Sequence, residues 1–124
     1  MLKRRILSVL LVLAMLVPFA GAAQTAQDNM RGVWVASVAN IDYPSSAGMT
    51  AQALAAEADT MLDNIAAMGL NTVFLQVRPS ADALYRSNLF PQSRYVSGTC
   101  GASPDGDFDV LAYWIEGAHE RGLQ

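Results

Sequence analysis

Two carboxylates, a guanidinium, a carboxamide and two phenol rings stand at or just beyond the two apolar runs that read as strands. Asp42 and Tyr43 follow Gly32-Val33-Trp34-Val35-Ala36-Ser37-Val38, while Gln76, Arg78, Asp82 and Tyr85 close or follow Leu70-Asn71-Thr72-Val73-Phe74-Leu75. Paired carboxylates can exchange protons with a bound molecule or grip its hydroxyls. Arg78 can hold a carboxylate through two parallel hydrogen bonds, either a ligand's or that of Asp42 or Asp82. Tyr43 and Tyr85 offer ring faces to apolar C–H groups.

The elements that position these residues follow from periodicity. Both apolar runs are short, rich in β-branched and aromatic residues, and continuous enough for strands buried on both faces. Between them, Thr50 reads as the N-cap of a helix that begins at Ala51. Leu54, Ala58, Met61, Leu62, Ile65 and Met68 give that helix one apolar stripe, and Gly69 supplies a left-handed stop. A second helix is expected over Val110 to Arg121, with Leu111, Trp114, Ile115 and Ala118 inward and Gly122 after it. Strand, helix, strand, helix is the signature of a parallel α/β sheet, in which ligands meet the loops at the carboxyl ends of the strands. A third strand should begin where the sequence ends. The stretch from Arg78 to Phe108 then becomes a loop of about thirty residues, a length that points to a functional loop. Asp82-Ala83-Leu84-Tyr85 is expected to form a helical turn inside it, with Tyr85, Phe90 and Tyr95 packing the loop or meeting a ligand.

Composition narrows the function classes. Lys3, Arg4 and Arg5 precede an apolar stretch from Ile6 to Phe19, and Ala20-Gly21-Ala22 has the small-x-small form of a secretory cleavage site. Residues 1–22 therefore read as a signal peptide, and residues 23–124 as an exported chain, periplasmic or extracellular, without a stable membrane anchor after cleavage. Removing the first 22 of the 124 residues leaves five arginines, no lysine and all eleven acids, a formal charge of −6. That balance argues against nucleic acid and anionic lipid, and favours a neutral or cationic partner. Cys100 is the only cysteine, so no disulfide closes within this sequence.

Five ordered blocks carry a resemblance: Arg31-Gly32-Val33-Trp34-Val35, Asn40-Ile41-Asp42-Tyr43-Pro44-Ser45, Asn71-Thr72-Val73-Phe74-Leu75-Gln76-Val77-Arg78-Pro79, Asp82-Ala83-Leu84-Tyr85 and Ala118-His119-Glu120-Arg121-Gly122-Leu123. Together they resemble the opening of the glycosyl-hydrolase-like family ten proteins, with Tyr43 where that family tends to carry Trp. The resemblance implies an exported (β/α)8 TIM barrel, here its amino-terminal portion with the first two βα units, that acts on glycan. The family includes bacterial forms that cut peptidoglycan glycan strands at the division site, so the resemblance implies bacterial cell-wall glycan or a related polysaccharide as substrate. No cofactor and no metal are expected. Glycoside hydrolysis usually takes two carboxylates about 5 Å apart or more, drawn in barrels from the ends of different strands. Asp42 and Asp82 meet the requirement of position, yet acid and nucleophile in such barrels generally come from later strands. Catalytic residues are thus expected beyond Gln124, and Asp42, Tyr43, Gln76, Arg78, Asp82 and Tyr85 are expected to bind substrate. A non-catalytic glycan-binding barrel is the alternative; an adhesion or scaffold protein would leave the polar cluster unexplained.

Two further features read as structural. His119 falls in the last turn of the second helix, where a cation meets the negative end of the helix dipole, away from the catalytic face. Asp105-x-Asp107-x-Asp109 has the spacing of a calcium loop, but Val110 stands where that loop needs Gly, so these acids read as helix caps. From the address segment, export is expected to yield a chain beginning at or near Ala23; exported protein that still begins at Met1 on amino-terminal sequencing would exclude cleavage.

Overall fold

A computed structural model describes residues 29–124, so the proposed signal peptide lies outside the described residues. The architecture is a partial α/β unit. Strands β1 (Gly32–Val35) and β2 (Thr72–Leu75) pair in parallel, Gly32 opposite Thr72 through Val35 opposite Leu75. They are joined by helix α1 (Ala51–Ala67) and followed by a short helix α2 (Arg94–Ser97) and by helix α3 (Val110–Glu120).

Local chemistry explains the element ends. The Thr50 hydroxyl accepts from the Ala53 N–H, and Asp109 does the same for Ala112, each satisfying a donor in its helix's first turn. Gly69 and Gly122 take left-handed φ of 73° and 71° after α1 and α3, a conformation that costs a side-chain-bearing residue energy. Asp105 accepts from the Ala51 N–H at 2.9 Å, so it caps α1 from across the chain and is not held in a cation loop.

The core lies between the sheet and the two long helices. Val35, Leu54, Ala58, Leu62, Ile65, Val110, Trp114 and Ala118 are buried together, with Val33, Val73 and Leu75 packed against them. The helices approach closely because position 117 has no side chain: a Cβ there would lie 2.9 Å from Leu62 Cδ1. Two expectations are corrected. In α3, Leu111 is only half-buried and Ile115 is 47% exposed; Val110, Trp114, Gly117 and Ala118 form the inward face. The strands are covered on one side only, because alternation sends Trp34 and Phe74, themselves neighbours in the register, to the bare face at 61% and 42% exposure.

The free edge of β2 is occupied at its start. The Gln124 N–H donates to the Asn71 carbonyl and the Val73 N–H donates to the Gln124 carbonyl, the bond pattern of a parallel bridge. The Gln76 N–H donates to Val35 of β1, so Val73, an odd step away, points to the opposite edge. Beyond that bridge the edge opens into an apolar groove of about 320 Å³ lined by Val73, Phe74, Leu75, Val77, Leu111 and Ile115, among others.

Two predictions follow from this packing. Residues 23–124 expressed alone should aggregate and show no cooperative melting, since a bare strand face, an open edge and the groove all expose apolar surface. A soluble fragment with a sharp thermal transition would contradict this. In the full-length protein Gly117→Val should lower stability by about 1–3 kcal/mol through overpacking against Leu62, read as a lower denaturant midpoint; an unchanged or higher midpoint would show that the helices have slack.

Candidate functional site at the carboxyl ends of the strands

Beyond Val35 and Leu75 the two chains are held together by side chains. Gln76 Oε1 accepts from the backbone N–H groups of Ser37 and Val38, both at 3.0 Å, and the Ser37 hydroxyl donates back to the Gln76 carbonyl. Ser37 is fully buried, so its N–H needs a protein partner. The expected substrate-binding carboxamide therefore spends its acceptor on fixing the loop after β1.

That loop folds back on itself. The Asp42 N–H donates to the Ala36 carbonyl, and Asp42 Oδ2 accepts from the Ala36 N–H at 2.8 Å. Asp42 itself is exposed, so its second oxygen faces solvent beside the strand end. Ala39 and Asn40 sit at positive φ of 54° and 53°, and the Asn40 side-chain amide donates to the carbonyls of Pro44 and Tyr95, 2.7 Å each. The segment is thereby tied to the loop after β2. Glu57 of α1 anchors its far side, accepting from the N–H and the hydroxyl of Ser45.

Tyr43 corrects an expectation. Its ring is wholly enclosed, 4.9 Å edge-on from Trp114, and its hydroxyl donates to the Leu54 carbonyl. Burial holds that phenol protonated well above the ordinary tyrosine range. Its ring offers no face to a ligand.

The loop after β2 is shaped by its own turns rather than by a helical one at Asp82–Tyr85. Ala81 has φ 58°, Leu84 returns to donate to the Val77 carbonyl, and Ala83 bridges Gln92. Asp82 is only 1% exposed; Oδ1 accepts from the Ser80 N–H at 3.1 Å, while the buried Oδ2 has no partner among the described residues. It too is closed to a ligand in this conformation. Arg78 is exposed, and its guanidinium carbon lies 3.4 Å from the centroid of the Phe90 ring. It pairs with neither Asp42 nor Asp82: among the described residues the ion pairs are those of Arg121 with Asp59 and Asp63. Tyr85 is half-buried, its carbonyl accepting from Gln92. Tyr95, whose hydroxyl meets that of Ser80 at 3.3 Å, completes a ledge across both strand ends.

Of the six residues expected to bind, the structure presents Asp42 and Arg78 to solvent, half-buries Gln76 and Tyr85, and encloses Tyr43 and Asp82. Asn40 is the residue whose role sequence reasoning missed, since its partner Tyr95 lies 55 residues along the chain with no local spacing to announce it. Phe90, expected to pack the loop or meet a ligand, packs on Arg78. His119 sits in the last turn of α3, one turn before the Leu123-Gln124 segment that pairs with the start of β2, at the other end of the unit. Among the described residues no cluster of three or more His, Cys, Asp or Glu could hold a metal ion, and no helix is long and apolar enough to cross a membrane.

Known proteins are similar to this sequence. The chain is 42% identical over 108 residues to the glycosyl hydrolase YngK of Bacillus subtilis, covering 87% of this chain and 21% of that protein. It is 32% identical over 123 residues to the glycosyl hydrolase DigH of Escherichia coli, covering 90% of this chain and 28% of that protein. The chain thus spans about a fifth to a quarter of the length of these relatives. The family model described as glycosyl hydrolase-like 10 matches residues 29–124, all of the described structure, and the chain belongs to that family.

Proposed function

We propose that the full-length protein is an exported glycoside hydrolase that cuts the glycan strands of bacterial peptidoglycan, on a (β/α)8 barrel of which these residues form the first two units. The observation that carries the reading is the ledge itself. Two parallel strands deliver exposed Asp42 and Arg78 to one end of the sheet, and side-chain hydrogen bonds weld the loops that bear them. Family membership and relatives named as glycosyl hydrolases favour sugar as the ligand.

The reading places the chemistry beyond Gln124. Hydrolysis by two carboxylates needs both within reach of the glycosidic bond, and here only Asp42 is open while Asp82 is enclosed. The ledge then grips sugar, and the acid and its partner come from later strands. The two backbone bonds between Gln124 and the start of β2 are consistent with a further parallel strand on the edge such a barrel needs.

The test is release of new reducing ends from purified peptidoglycan glycan strands by the full-length exported protein. Reducing ends that accumulate with time would bear out the hydrolase. Tight binding without their release would move the protein to the non-catalytic glycan-binding class, and neither binding nor cleavage would reject the substrate.

A further inference from the structure

The described arginines divide by how their donors are spent. Arg31 donates to the Gly69 and Asn29 carbonyls, Arg86 to the Asp107 carbonyl, and Arg121 to Asp59, Asp63 and the Gly117 carbonyl. Arg78 makes no hydrogen bond within the described residues, yet it is not loose. At 3.4 Å from the Phe90 centroid its planar cation lies in face contact with the ring. A stacked guanidinium keeps its N–H donors at the edge, in the fork that matches two carboxylate oxygens.

Among the described residues no carboxylate pairs with that fork. Asp82, four residues on, is enclosed, and Asp42 turns one oxygen back to the Ala36 N–H. From Arg78 to Phe108 three arginines stand with three aspartates, of which Asp82 is enclosed, Asp105 caps α1 and Asp107 lends its carbonyl to Arg86, so Arg78 and Arg94 are the arginines of this loop whose guanidinium has no hydrogen-bond partner among the described residues. Arg94 lies in the same loop, 6.0 Å from the Tyr95 ring, whose hydroxyl meets that of Ser80 two residues from Arg78. A stacked cation with no hydrogen-bond partner among the described residues is suited to an anion presented on a polar scaffold.

We propose that Arg78, preset by Phe90, is a specificity-determining residue that binds a free carboxylate carried by a sugar of the glycan, through a bidentate pair. This rests on the glycan-cleaving reading above. It departs from the expectation of a neutral or cationic partner, which was drawn from the total charge alone. The carboxylate can stand directly on the ring, as in a uronic acid, or on an ether arm, as in a 3-O-lactyl sugar; both present the same two oxygens.

The experiment uses the full-length protein with four probes: a uronic-acid oligosaccharide, a 3-O-lactyl N-acetylglucosamine oligosaccharide, and the carboxyl-reduced form of each. Wild type should favour at least one acidic oligomer over its reduced form by tenfold or more in kcat/KM, with a preference that shrinks as salt rises. Arg78→Gln should lose roughly 10- to 100-fold on that oligomer, chiefly in KM, and little on its reduced form, the size expected for a charged hydrogen-bonded pair. Phe90→Leu should move the same ratio the same way by less. Wild-type turnover of acidic and reduced oligomers at equal rates overturns the carboxylate assignment and leaves the hydrolase standing, as does an equal loss on both with Arg78→Gln. Failure of wild type to bind or cut any of the four overturns both. Should Arg78→Gln not fold, the wild-type ratio and the Phe90→Leu shift decide.

Discussion

Everything at the functional end hangs on the carboxamide of Gln76. The backbone ladder between β1 and β2 closes with the Gln76 N–H on the Val35 carbonyl, after only four paired residues. From there the strands diverge into loops, and the two N–H groups of Ser37 and Val38 would be left without partners beside a fully buried residue. Gln76 supplies both with one oxygen, and Ser37 returns a hydroxyl to its carbonyl. Each such bond is worth about 1 kcal/mol net, but leaving a buried donor unmade costs about 1–3 kcal/mol. The asymmetry makes the side chain a continuation of the sheet, and it sets where Asp42 and Arg78 stand relative to each other.

Above that latch, the ledge is assembled from strained pieces held by side-chain hydrogen bonds. Ala39 and Asn40 adopt positive φ without glycine, at an energetic cost, and the Asn40 amide offsets it with two 2.7 Å bonds to carbonyls of different loops. Ala81 does the equivalent after β2, where it lets Asp82 turn inward and take the Ser80 N–H. Below the latch, the sheet follows ordinary packing: odd-numbered valines face the helices, and Gly32 leaves room for Phe74, since a Cβ at that position would lie 2.6 Å from the ring.

How much of this the sequence reveals depends on the distance between partners. Thr50, Gly69, Asp109 and most of the α1 stripe act within a turn or two of chain and read correctly from their neighbours, while Met68, counted in that stripe, is 64% exposed just past the end of the helix. Tyr43 does not. Asp42-Tyr43-Pro44-Ser45 looks like an exposed polar turn, yet the ring is drawn inward by Trp114, 71 residues away, and by the Leu54 carbonyl. Asp82 misleads for the same reason, since only the fold shows that the turn at Ala81 carries its carboxylate under the loop. In α3, apolar residues occur on both sides of the helix, so periodicity alone cannot say that Val110 and Gly117 face the core while Ile115 faces the groove.

Charge shows the same limit, and it changes what the site can accept. Most acids in the described chain are committed locally: Asp105 and Asp109 satisfy helix starts, Glu57 holds Ser45, and Asp59 and Asp63 take Arg121. Asp59 also accepts from the Tyr113 hydroxyl, a hydrogen bond that raises that phenol's pKa, and it shares the outer helix face with Glu116 and Glu120. Negative charge therefore collects on the α1–α3 flank, while Arg78 and Arg94 of the loop after β2 have no ion-pair partner among the described residues. Interactions between exposed charges fade over about 10 Å at ordinary salt, so a ligand at the strand ends responds to the nearby charges far more than to the total. The acidic total is set largely by the helices that hold the ledge in place, and the ledge itself carries both signs, with Asp42 and Arg78 exposed at one end of the sheet.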